Sequence, residues 1–211
     1  MKKTADTFFT DQEKKRIADA THQAELRTSG EIAVMVTASS DSYRDAEIIG
    51  GIVFGSITAF ALTEMLFNAQ IWYYIPLSIL FFFPFQLLTR HLPLLKAVFI
   101  GPGRRQETVA QRALKAYYEK GLYRTRDNTG ILFFISILER KVWILADKGI
   151  YSKIDQDTLN TYTAAVTQGI KKGEACDALC RTITEIGQLL AEHFPVKSDD
   201  TNELPDEVMT A

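Results

Sequence analysis

The chain has 211 residues, a formal net charge of -2, and 46% hydrophobic against 24% charged residues. That length suits one or two domains, and the near-neutral charge lacks the basic footprint that nucleic-acid binding leaves, so no nucleic-acid partner is expected. The averages conceal a segregation, because residues 48–100 are strongly apolar and the flanks are not.

The amino-terminal region carries Asp11, Glu13, Lys14, Lys15, Arg16 and Asp19. It has no apolar run of the roughly 7–15 residues that a cleaved signal requires, so none is expected. Thr10 and Glu13 stand at capping-box spacing, which predicts a helix to about Arg27 with Ile17, Ala20 and Ala24 on one face. Ser29 and Gly30 break it. Glu31–Thr37, EIAVMVT, has apolar residues on both faces and predicts a strand covered from both sides.

Ile48–Phe67 then holds a single charge, Glu64, and Ile71–Leu88 holds none. Both are in the range of the about 20 apolar residues that cross a hydrocarbon core of roughly 30 Å. Only Asn68, Ala69 and Gln70 separate them, which predicts an antiparallel transmembrane hairpin over residues 48–90 with both ends on one side. Trp72, Tyr73 and Tyr74 suit an interfacial aromatic belt. Pro76 and Pro84 would kink the second helix, as membrane helices tolerate. Gly51 and Gly55 form a G-x-x-x-G pair that lets one helix approach the other closely. Arg44 precedes the hairpin and Arg90, Lys96, Arg104 and Arg105 follow it, while the turn carries no basic residue. Basic flanks favour the cytoplasmic side. The expectation is an inner or plasma membrane protein with both termini and the soluble part in the cytoplasm, where Cys176 and Cys180 stay reduced. Residues 91–100 include an apolar run too short to span, read as an interfacial segment, and Gly101, Pro102 and Gly103 mark a turn. The basic residues beside that turn suit anionic lipid better than a phosphate cradle.

Arg104–Lys120 predicts a helix burying Val109, Ala113, Ala116 and Tyr117. Thr129–Leu138 and Lys141–Ala146 predict two antiparallel strands joined through Glu139-Arg140. Asp155–Lys172, closed by Gly173, and Glu174–His193, stopped by Pro195, predict two amphipathic helices. Residues 196–211 are acidic with little apolar mass and predict a disordered tail. Residues 1–47 are too few to bury a core alone. The expected fold is therefore an α/β sandwich, a small sheet covered by helices, formed discontinuously from residues 1–47 and 101–195 with the hairpin inserted.

Three runs carry a family resemblance. They are Thr28-Ser29-Gly30-Glu31-Ile32, Arg126-Asp127-Asn128-Thr129-Gly130-Ile131-Leu132, and Leu138-Glu139-Arg140-Lys141-Val142 followed by Ala146-Asp147-Lys148-Gly149-Ile150. In order and spacing they resemble the TPM-domain family, which includes a thylakoid-lumen photosystem II repair protein and a nematode acetylcholine-receptor modulator. They also resemble its bacterial branch with an inserted membrane hairpin. The resemblance implies an α/β sandwich, and for function either acid phosphatase activity, divalent-cation binding (Ca²⁺ or Mg²⁺) or assistance to membrane complexes. It points to Asp127, Asn128 and Asp147, with Gly149, as the polar turns of a metal site. The family often has an acid soon after a Gly-Tyr-Gly in the second turn. Here the chain reads Gly149-Ile150-Tyr151-Ser152-Lys153, so that acid is absent or displaced to Asp155.

Hard cations need clustered oxygen ligands, and the acids at predicted strand ends are Glu31, Asp127, Asp147, Asp155 and Asp157. Aspartate and asparagine also favour turns and helix starts for conformational reasons alone. No P-loop, serine–histidine–aspartate order, zinc helix motif or dinucleotide fingerprint is present. Two readings follow: a non-catalytic module that assembles or maintains membrane protein complexes, with the bilayer and another membrane protein as partners, or a cation-dependent phosphatase.

Overall fold

The computed structural model describes residues 4–68, 70–197 and 201–210, and within them the chain forms two compact units. The first comprises residues up to Ser40 and from Gln106 onward. Its sheet holds β1 (Glu31–Thr37), β2 (Gly130–Ser136), β3 (Lys141–Ala146) and β4 (Met209–Thr210) in the order β3-β2-β1-β4. β1 runs parallel to β2, with Glu31 opposite Gly130 and Thr37 opposite Ser136, and β3 is antiparallel to β2.

Every residue of β1 and β2 is buried, as their unbroken apolar runs require. One face, with Ile32, Val34, Ile131 and Phe133, packs under α1 (Asp11–Glu25), α7 (Gln156–Lys172) and α8 (Ala175–His193) through Ile17, Leu159, Val166 and Ile183. The other face, with Ala33, Met35, Leu132 and Phe134, is covered by Val109, Ala113, Ala116 and Tyr117 of α5 (Pro102–Glu119). The fold is an α/β sandwich. The capping box forms as spaced: Glu13 N–H donates to Thr10 Oγ1 at 3.2 Å and Thr10 N–H to Glu13 Oε2 at 2.8 Å.

Two local features differ from the sequence reading. β2 ends at Ser136, so the connection to β3 is the four residues Ile137–Arg140 rather than a two-residue turn. Arg140 takes φ 52°, and the buried Glu139 carboxylate accepts from Ser40 N–H at 2.9 Å and from the Ser136 hydroxyl. Residues 201–210, expected to be disordered, instead lie along the free edge of β1, while 198–200 and 211 fall outside the described residues. β4 pairs in parallel with β1, Leu204 is buried, and Glu31 accepts from the N–H groups of Glu203 and Leu204 at 3.2 Å. A composition average misses this because one apolar anchor and a few main-chain bonds suffice for the docking.

The second unit, Asp41–Arg105, contains α2 (Arg44–Leu66), α3 (Ile71–His91) and the short α4 (Pro93–Val98). At 1.5 Å per residue α2 and α3 are about 34 and 31 Å long. Both are long and apolar enough to cross a membrane. Ala69 of the predicted turn lies outside the described residues. Gly51 and Gly55 face α3: a Cβ at Gly55 would stand 3.0 Å from the backbone nitrogen of Phe82, and one at Gly51 3.0 Å from the Phe82 ring. The large apolar side chains point the other way, Ile57 being 62% and Phe83 64% exposed. The basic residues read as lipid contacts have partners within their own unit. Lys96 Nζ lies 2.6 Å from Glu47 Oε1, Arg104 pairs with Asp45, and Arg105 Nε donates to the Ile100 carbonyl at 3.0 Å.

Candidate functional site

The polar turns at one end of the sheet meet as a pair. Asp147 follows β3, and its N–H donates to the Gly130 carbonyl at the start of β2 at 2.9 Å. Gly149, in the one-turn α6 (Lys148–Tyr151), donates its N–H to the Asn128 carbonyl at 3.1 Å. Asp127 and Asn128 precede β2 in a turn closed by Asn128 N–H on the Thr125 carbonyl at 3.1 Å, with Asn128 at φ 56°. β-strand pairing thus brings Asp127, Asn128 and Asp147 to one edge.

Their carboxylates are already engaged. Asp127 Oδ2 lies 2.7 Å from Lys197 Nζ, and Asp147 Oδ1 accepts from Lys148 N–H at 2.7 Å, capping α6. Asp147 Oδ2 and the hydroxyl of Tyr117 are both buried and neither makes a hydrogen bond. Tyr117, from α5, is 5% exposed. Burial first, and then the neighbouring Asp147, push its phenol well above the usual range. The edge therefore offers one unpaired carboxylate oxygen, a phenol, and the Asp127 and Asn128 carbonyls that flank Gly149. These are hard oxygen donors suited to Ca²⁺ or Mg²⁺, but among the described residues no group of three or more histidines, cysteines or acids is placed to hold a metal. Asp155 caps α7, accepting from Thr158 N–H at 2.7 Å, and that bond holds its carboxyl below the usual carboxylate range.

Two polar clusters bring together residues that lie far apart in the chain. The Ser40 hydroxyl meets that of Ser136 at 2.9 Å, and Ser136 donates to Glu139, forming a relay at the carboxyl ends of β1 and β2. At the amino end of β1, Glu25 Oε1 accepts from Ile32 N–H at 2.8 Å, near Glu31 and Asp206. Burial pushes the Glu25 carboxyl up to about 9, opposed by the Ile32 bond and assisted by Glu31 and Asp206. Cys176 and Cys180 lie with sulfurs 4.0 Å apart, and burial raises the Cys180 thiol to about 12, consistent with small apolar helix residues.

Residues 97–189 match the family model of the TPM domain. The match spans β2, β3, α6 and α7, and includes Asp127, Asn128 and Asp147. The chain is also similar in fold to the NMR structure of the BA42 protein from the psychrophilic bacterium Bizionia argentinensis. The two are 22% identical, with a TM-score of 0.61 over 97% of this chain and 96% of that one. No curated protein matches. The first resemblance run has a structural use: Thr28 Oγ1 donates to the Phe194 carbonyl at 2.6 Å, and a Cβ at Gly30 would stand 2.9 Å from Leu190.

Proposed function

We propose that this TPM domain is a membrane-anchored, non-catalytic binding module that assembles or maintains membrane protein complexes. Its anchor is the α2–α3 hairpin, inserted from the cytoplasmic face of an inner or plasma membrane. The observation that carries the anchor is the inversion of the hairpin's faces. Glycines and threonines line the α2–α3 contact while large apolar side chains point outward, the arrangement lipid favours and water does not. The Lys and Arg of the hairpin's flanks support the cytoplasmic orientation, since that bias depends on basic residues and little on nearby acids. The non-catalytic reading is supported by the Asp127–Lys197 pair and the capping role of Asp147, which leave no activated nucleophile at the edge.

A second reading, divalent-cation-dependent acid phosphatase activity, is favoured by the unpaired Asp147 Oδ2 beside Tyr117. Hydrolysis of p-nitrophenyl phosphate by the detergent-solubilised full chain, with Ca²⁺, Mg²⁺ or chelator, separates the two. The binding module gives no turnover above buffer under any condition. Cation-dependent turnover that Asp147→Asn abolishes would replace the first reading with the second.

A further inference from the structure

A cavity of about 180 Å³ opens beside β3, between α5 and α7, away from the Asp127–Asp147 edge. Its walls mix apolar groups, from Val109 of α5 and Val142, Trp143 and Ile144 of β3, with the polar Lys141 of β3 and Gln156 and Asn160 of α7. β3 is an outer strand of the sheet. The Asp147 N–H points at β2, and main-chain direction alternates along an antiparallel strand. By that alternation Lys141, Trp143 and Leu145 address β2, and the N–H and C=O groups of Val142 and Ile144 face the cavity. Val142 and Ile144 have no other main-chain partner there among the described residues. The opposite margin of the sheet is closed by the chain's own β4. β3 has no such cover, and unpaired strand edges recruit strands.

We propose that this cavity is a docking site for an extended, acidic segment of a partner protein, added to β3 as a further strand. The main chain of the segment bonds Val142 and Ile144, the side-chain amides of Gln156 and Asn160 supply donors and acceptors at its flank, and Trp143 offers an aromatic face. Charge sets the partner's chemistry. Lys141 is the charged residue on the cavity wall and makes no ion pair among the described residues, so it favours a carboxylate on the incoming strand. This deepens the binding-module reading, and the experiment below is independent of the phosphatase assay and of membrane insertion.

The test is fluorescence anisotropy of a labelled heptapeptide of alternating threonine and valine ending in glutamate, titrated with the full chain in detergent micelles. Two further peptides carry N-methyl groups on alternate amides or lysine in place of the glutamate. Main-chain docking is sequence-tolerant, so the first peptide saturates below about 1 mM. N-methylation weakens it at least about tenfold, a difference of about 1.4 kcal/mol. Asn160→Trp, a substitution at an exposed position that fills the cavity, abolishes binding without lowering the melting temperature. Lys141→Glu weakens the glutamate peptide and strengthens the lysine one. Absence of saturation, equal binding of the N-methylated peptide, or indifference to Asn160→Trp would each overturn the proposal. Equal effects of Lys141→Glu on both peptides would overturn its acidic specificity.

Discussion

Gly149 donates its N–H to the Asn128 carbonyl at 3.1 Å, and a Cβ at Gly149 would stand 2.4 Å from that same oxygen. The two polar turns at this end of the sheet are therefore locked together by a contact that admits no side chain. Gly149→Ala must push the turns apart, costing about 1–3 kcal/mol by overpacking and lowering the melting temperature by several degrees. Gly103→Ala, where a Cβ meets nothing within 4 Å, is the control and leaves the melting temperature unchanged or slightly raised. Thermal unfolding of both variants in detergent checks the pair.

The helices and strands of this domain were legible because periodicity and capping residues are local. β1 ends where its apolar run ends, and the Thr10–Glu13 box starts α1. What was not legible is what pairing across the chain creates. The parallel β1–β2 contact joins segments about a hundred residues apart and builds the Ser40–Ser136–Glu139 relay. The role of Glu31, which receives the tail's N–H groups, depends on residues more than 170 positions away. Asp127 and Asp147 were visible as turn residues, but the lysine neutralising Asp127 was not, because Lys197 lies 70 residues on, after the last helix.

The docked tail is an energetic element as well as a geometric one. Leu204 is 8% exposed and belongs to the cluster beneath α5. Leu204→Ala removes buried methyl groups and destabilises the domain, by about 2 kcal/mol at the low end of the usual core range because the site is peripheral. Limited proteolysis of that variant cuts the carboxyl-terminal segment first. Unchanged stability and protection would mean the tail does not dock.

Glu25 makes stability depend on pH. Its folded carboxyl is raised to about 9 from an ordinary value of 4.5. Between those values the folded state holds a proton that the unfolded state has released, so stability falls as pH rises. The contribution is complete below about 4.5 and lost as pH passes through about 9. Glu25 faces Glu31, Asp206 and the Ile32 N–H, and His22 Nδ1 lies 3.1 Å from Asp206. Chemical unfolding midpoints between pH 5 and 9 decline for the natural chain, and Glu25→Gln flattens that decline.

In the hairpin, a Cβ at Gly55 would stand 3.0 Å from the backbone nitrogen of Phe82, so α2 meets the backbone of α3 there. Gly55→Leu forces the helices apart and lowers the thermal stability of the detergent-solubilised chain. Ile57→Leu, on the exposed face, leaves it unchanged within error.

Carbonate extraction tests α2 and α3 as a membrane anchor most directly. Membranes from cells expressing the full chain are washed in alkaline carbonate alongside those from cells expressing a chain in which residues 48–90 are replaced by a short polar linker. Anchoring by α2 and α3 keeps the full chain in the pellet and lets the replaced chain leave it. Release of the full chain into the supernatant would contradict it.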